Sequence, residues 1–171
     1  SGTFTVGLLH ALHALNRQSV TAETLAREAI DLEMVRLGDP VGKQDQYIAA
    51  YGGVTCQEYH QDGSVTISPL NVSTQTLHDL QDGLMLFFTA KSRSASVLLQ
   101  DQKKRSEQND DAIIQNLHAI KSLGYRIRDA LEAGETTTFG ELMHEHWEMK
   151  RRRSSGMSDS SIDDAYNHAR K

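Results

Sequence analysis

Apolar positions recur at helical spacing from the start of the chain. In residues 3–16, TFTVGLLHALHALN, Val6, Leu9 and His13 share one stripe, and Leu8, Leu12 and Leu15 lie beside it. The spacing predicts a helix buried over much of its circumference, ended by Asn16 and Arg17. Thr21 is placed to cap a second helix over 22–37, whose broad apolar face joins Leu25, Ala29 and Leu32 to Ala26, Ile30 and Leu37, with Gly38 as its stop. The pattern then breaks. Residues 38–53, GDPVGKQDQYIAAYGG, hold four of the twelve glycines and one of the two prolines, which predicts a backbone-led loop and a short helix near 46–51. Apolar and polar residues alternate over 54–59 and 64–69, and the turn signal His60-Gln61-Asp62-Gly63 between them makes a β-hairpin. A third strand is expected at 84–89. Helical periodicity dominates beyond it, over 92–103, 107–133, 138–149 and from Ser160 onward.

This order of helices, strands and helices describes an α+β protein whose character changes near residue 90. The chain has 171 residues, 38% hydrophobic and 24% charged, enough for a real core. Its net charge of −5 argues against a nucleic-acid partner. The single cysteine, Cys56, cannot form an internal disulfide and is expected to pack as a small buried hydrophobe. The longest apolar runs, such as 83–90, are too short to cross a bilayer. With no signal peptide in view, these features suit a reduced, cytoplasmic compartment and no membrane partner.

Several polar residues sit where chemistry is possible. Glu33 interrupts the apolar face of its own helix, so it is either a boundary residue leaning into solvent or a buried carboxylate that needs a partner. Asp45, in the loop after Gly42 and beside Lys43, is either a helix cap or a base. Two carboxylates joined through such a loop suit one Mg²⁺-phosphate centre, because Mg²⁺ takes one or two carboxylates plus phosphate oxygens. Ser1-Gly2-Thr3, directly before a helix, is an ordinary N-cap or an anion site. The run Lys150-Arg151-Arg152-Arg153 is a solvated helix end, a grip for a phosphate, or, least favoured, a nucleic-acid patch; helical spacing sets Trp147, Lys150 and Arg151 on one side. His10, His13, His144 and His146 form no zinc signature.

Longer segments carry a resemblance. SGTFTVGLLHALHAL reads like the end of the glycine-serine phosphate loop of GHMP kinases and the helix that follows it. EMVRLGDPVGKQDQYIAAYGG, residues 33–53, resembles the next block of that superfamily, in which an acidic metal ligand is followed twelve residues on by an aspartate in a Gly-x-x-Asp-Gln loop. QDQYIAAYGG, LFFTAKSRSASVLLQDQ and FGELMHEHWEMKRRRSSGMSDSSIDDAY are most similar to heptose 7-phosphate kinases. The resemblance implies a two-domain GHMP kinase fold truncated at both ends, with the remainder of an ATP- and Mg²⁺-binding domain over 1–83 and the start of a second domain over 84–171. It implies ATP and Mg²⁺ as cofactors and a small sugar phosphate as substrate, phosphorylated at its anomeric hydroxyl. Ser1, Gly2 and Thr3 would bind the nucleotide phosphates, Ser1 and Glu33 the Mg²⁺, and Asp45 would act on the attacking hydroxyl. Gly42, Gln46, Tyr51, Trp147, Lys150 and Arg151 would contact the substrate. Another sugar 1-kinase of the fucokinase or galactokinase kind, or a non-catalytic remnant, are the competing expectations. A homo-oligomer is also expected to be compatible. Without the rest of the fold, the piece alone is expected to be inactive and, with open sheet edges, to self-associate.

Overall fold

The structure, a computed structural model, describes residues 2–89, 111–153 and 158–170. The helix expected at 92–103 and the first residues of the one expected at 107–133 lie outside them. The chain divides into two units, Ser1–Leu70 and Asn71–Lys171.

In the first unit, α1 (Gly2–Leu15) and α2 (Ala22–Ile30) pack with α3 (Gln44–Tyr51). Thr21 caps α2 as its position predicts, its hydroxyl accepting from the Thr24 N–H at 3.1 Å. The core joins Val6, Leu25 and Ala29 to Leu9, Val20, Ala49 and Ala50. Small side chains at Ala26 and Ala29, both fully buried, let neighbouring backbones come close. The expectation for α1 needs correction. Only Gly2, Thr5 and Val6 are buried, whereas Phe4, Leu8, Leu12 and Leu15 form an exposed stripe, because no described element packs over that side. The helix expected over 22–37 also changes character: Asp31–Arg36 is a π-helical turn, in which the Leu37 N–H donates to the Leu32 carbonyl five residues back at 3.0 Å.

Strands β1 (Thr55–Tyr59) and β2 (Val65–Pro69) form the expected antiparallel hairpin, pairing Thr55 with Pro69 and Tyr59 with Val65. The Gly63 N–H donates to the His60 carbonyl at 3.0 Å, and Asp62 accepts from both the N–H and the hydroxyl of Ser64. Those two bonds hold the Asp62 carboxyl below the usual carboxylate range. Lys43 Nζ reaches the Gly63 carbonyl at 3.2 Å and ties the loop before α3 to the hairpin turn. Cys56, in β1, is half-buried rather than buried.

In the second unit, α4 (Thr74–Gly83) is a helix the periodicity did not predict. Ser73 caps it by accepting from the Thr76 N–H at 3.0 Å. The strand expected at 84–89 does not form. These residues are irregular and exposed, Leu86 completely so; a strand needs a ladder partner, and β1–β2 is the sole sheet among the described residues. Helix α5 (Asp111–Glu132) packs on α6 (Thr136–Arg153) through Leu123, Ala130 and Leu142, backed by Ile127 and Met149. Gly134 closes α5 at φ 77°, with the Glu135 N–H reaching the Ala130 carbonyl at 2.9 Å. A Cβ there would also stand 3.2 Å from Thr76 Oγ1. Helix α7 (Ser160–Ala169) starts from Asp159, whose carboxylate accepts from the N–H groups of Ser161 and Ile162. No helix among the described residues is long and apolar enough to cross a membrane.

Candidate functional site

Glu33 lies inside the π-helical turn and is only 2% exposed, which resolves its two expected placements in favour of burial. The Thr5 hydroxyl, from α1, donates to Glu33 Oε1 at 2.7 Å, and Gln46 Nε2, from α3, donates to Oε2. Both donors are neutral. No lysine, arginine or histidine among the described residues pairs with this carboxylate. Gln46 is itself 1% exposed, and its Oε1 is buried without a partner.

The start of α1 meets the start of α3 at this point. A Cβ on Gly2 would stand 3.0 Å from Asp45 Cβ, 3.2 Å from the Asp45 carbonyl carbon and 3.3 Å from the Gln46 nitrogen. Glycine at position 2 is therefore a requirement of backbone approach, not of capping alone. Asp45 is exposed in the first turn of α3. Its charge helps to hold the Tyr59 phenol, which burial chiefly pushes up to about 12. Helices leave their first backbone N–H groups without intrahelical partners, so two helix starts with one buried and one exposed carboxylate make a place where anions and a cation can both be held.

The other first-unit candidates are placed differently. Ser1 lies outside the described residues, Thr3 is exposed, and Gly42 is exposed in the loop before α3. Tyr51 is at the far end of α3, where its hydroxyl donates to Glu23 Oε2 at 3.1 Å, beside the weaker contact of Tyr47 with Glu23 Oε1.

Trp147, Lys150 and Arg151 belong to the second unit, on α6. Tyr166 of α7 stands between Trp147 and His144, with ring centroids at 5.8 and 5.9 Å, and its hydroxyl is 2.7 Å from His144 Nδ1. Arg170 Nη1 sits 2.7 Å from His144 Nε2. Arg151 is already engaged, at 3.0 Å with Glu148 and 3.3 Å with Asp163. Lys150 is half-buried, and the Trp147 indole N–H is buried without an acceptor.

No protein-family model matches the chain. Among curated proteins, D-glycero-alpha-D-manno-heptose 7-phosphate kinase of Campylobacter jejuni is 25% identical over 166 residues, covering 97% of this chain. The solved structure of a D-glycero-D-manno-heptose 1-phosphate kinase from Bacteroides thetaiotaomicron superposes with a TM-score of 0.70 at 26% identity over 88% of this chain. The chain resembles heptose phosphate kinases over nearly its whole length. A bifunctional fucokinase/GDP-fucose pyrophosphorylase of Arabidopsis thaliana is also 25% identical, over 95% of the chain. A putative sugar kinase from C. jejuni shares the fold, with a TM-score of 0.66 at 21% identity. This chain spans 48% of the Campylobacter heptose kinase and 42% of the Bacteroides one.

Sequence reasoning did not single out Thr5, and it expected Gln46 at the substrate without foreseeing its contact with Glu33. The available signal was a threonine on the same side of α1 as Val6, a hydroxyl on an otherwise apolar face. Among the described residues no three His, Cys, Asp or Glu side chains gather into a metal cluster. The donor set fits Mg²⁺, which takes one or two carboxylates together with phosphate oxygens and water.

Proposed function

We propose that the protein carrying this chain is a GHMP-type kinase that uses ATP and Mg²⁺ to phosphorylate the anomeric hydroxyl of a heptose 7-phosphate. One observation carries the proposal: the buried Glu33, met by no cationic side chain among the described residues, lies where the starts of α1 and α3 converge, in a chain aligned over 97% of its length with a heptose 7-phosphate kinase. Ser1, Gly2 and Thr3 receive the nucleotide phosphates. Glu33, with Ser1, holds Mg²⁺, which neutralises charge on the transferring phosphoryl group when bound. Asp45, exposed at the start of α3, accepts the proton of the sugar hydroxyl. The sugar oxygen then bonds to the γ-phosphorus while the bond to the ADP oxygen breaks. Trp147 and Lys150 are the better substrate contacts on α6, because Arg151 is committed to Glu148 and Asp163. Arg151 then acts by holding α6 to α7.

The test uses the full-length protein, Mg²⁺ and ATP with D-glycero-D-manno-heptose 7-phosphate, L-fucose and galactose, followed by ADP release. The expected result is turnover of the heptose phosphate alone, reduced by about 10²–10⁴ in Asp45→Asn. Turnover of fucose instead moves the protein toward its Arabidopsis relative. No turnover of any sugar with a correctly folded protein overturns the kinase assignment.

A further inference from the structure

We propose that Thr5 and Gln46 are positioning residues that fix the Glu33 carboxylate to receive a divalent cation, with Gln46 Oε1 as the acceptor for a hydroxyl or water that arrives with it. The inference rests on the proposed kinase site and concerns residues that the resemblance does not assign to the metal.

A carboxylate has about four lone-pair positions on its two oxygens. Thr5 takes one on Oε1 and Gln46 takes one on Oε2, so each oxygen is held in place and each keeps acceptor capacity. The donors come from different helices, α1 and α3, while Glu33 itself comes from the π-helical turn. Three elements thus fix one group. Neither donor brings charge, and an uncompensated buried carboxylate is costly, by several kcal/mol.

A purely structural polar cluster would satisfy itself. This one does not. The carboxylate accepts only, so Gln46 must turn its amide nitrogen toward Glu33, and that choice fixes where Oε1 points. Oε1 is then buried with no donor, which costs about 1–3 kcal/mol unless something brings one. A hydrated divalent cation supplies both the missing charge and the missing O–H. Groups that orient a metal ligand in this way change metal affinity by about 10- to 100-fold when removed.

The experiment titrates Mn²⁺ into the full-length protein with ATP present and follows the free Mn²⁺ signal by electron paramagnetic resonance, a readout independent of turnover. Thr5→Val and Gln46→Leu are expected to weaken Mn²⁺ binding about 10- to 100-fold, Glu33→Gln at least as much, and Thr5→Ser, which keeps the hydroxyl, is expected to restore it. Wild-type affinity in Thr5→Val and Gln46→Leu, with loss in Glu33→Gln, overturns the positioning role and leaves the metal site standing. Wild-type affinity in Glu33→Gln as well removes Glu33 from the metal and overturns both. Should either apolar variant fail to fold by circular dichroism, Gln46→Asn, whose shorter amide cannot reach Glu33, decides in the same way: weakened binding supports the role and unchanged binding ends it.

Discussion

The buried carboxylate of the first unit and the paired carboxylates of the second are held in opposite ways. In the second, Arg151 lies between Glu148 and Asp163, and Arg126 grips Glu145 with bonds of 3.0 and 3.1 Å. Each of these half-exposed charges has its counter-charge within the chain. In the first, Glu33 is far more deeply buried and is met only by a hydroxyl and an amide. Stability alone would favour the reverse arrangement, because desolvation makes pairing matter most where water is excluded. The paired carboxylates of the second unit are neutralised within the chain, whereas Glu33 has no cationic side chain against it among the described residues.

The junction that creates this difference is the most sensitive place to test it. Gly2→Val would drive a side chain into Asp45 and the backbone of Gln46, and is expected to lower unfolding stability by about 1–3 kcal/mol, read from the urea midpoint. Gly7→Ala, where a Cβ meets nothing within 4 Å, is its control and should be neutral or stabilising. Next in size is the contrast between the carboxylates themselves. In metal-free protein, Glu33→Gln is expected to raise stability by on the order of 1 kcal/mol, since it removes an uncompensated buried charge. Asp163→Asn is expected to lower it by about 0.2–1 kcal/mol, since it breaks a partly screened pair. A fall in both variants would erase the distinction between the units.

Smaller effects concern the end of α1. Arg17 has φ 57°, a conformation that costs an L-residue about 1–2 kcal/mol. Arg17→Gly is expected to stabilise by less than 1 kcal/mol, measured by thermal unfolding, because glycine's larger unfolded-state entropy offsets part of the relief. His13 gives the smallest signal. Its ring nitrogens face Glu28 Oε2 at 2.7 Å and Gln18 Oε1 at 3.1 Å, and the Glu28 contact raises its pKa above 6.5. The stability this confers is fully present below the unfolded value near 6.5 and is lost as pH rises through the higher folded value. In His13→Gln the decline over that window should disappear.

Local chemistry made much of the fold legible. The Thr21 cap, the Gly63 turn and the Gly134 stop act through near neighbours, and each appears where the sequence puts it. The failures depend on distant partners. The apolar run at 84–89 reads as a strand, but no ladder partner is present among the described residues. Leu8, Leu12 and Leu15 look like core, but burial needs an opposing surface that periodicity cannot supply. At the site, a polar residue breaking an apolar face identified Glu33, whereas the clamp from Thr5 and Gln46 joins residues 28 and 13 positions away and is visible only once three helices are packed. Ser1 lies outside the described residues.

The π-helical turn at Asp31–Arg36 also sets a rule about chain length. A regular helix advances about 100° per residue, so a wide turn shifts the phase of everything after it by one position. Deleting a single residue there would restore ordinary winding and swing Glu33 away from either Thr5 or Gln46. The stretch from Glu33 to Asp45 is consequently a measured spacer that tolerates changes of composition better than changes of length.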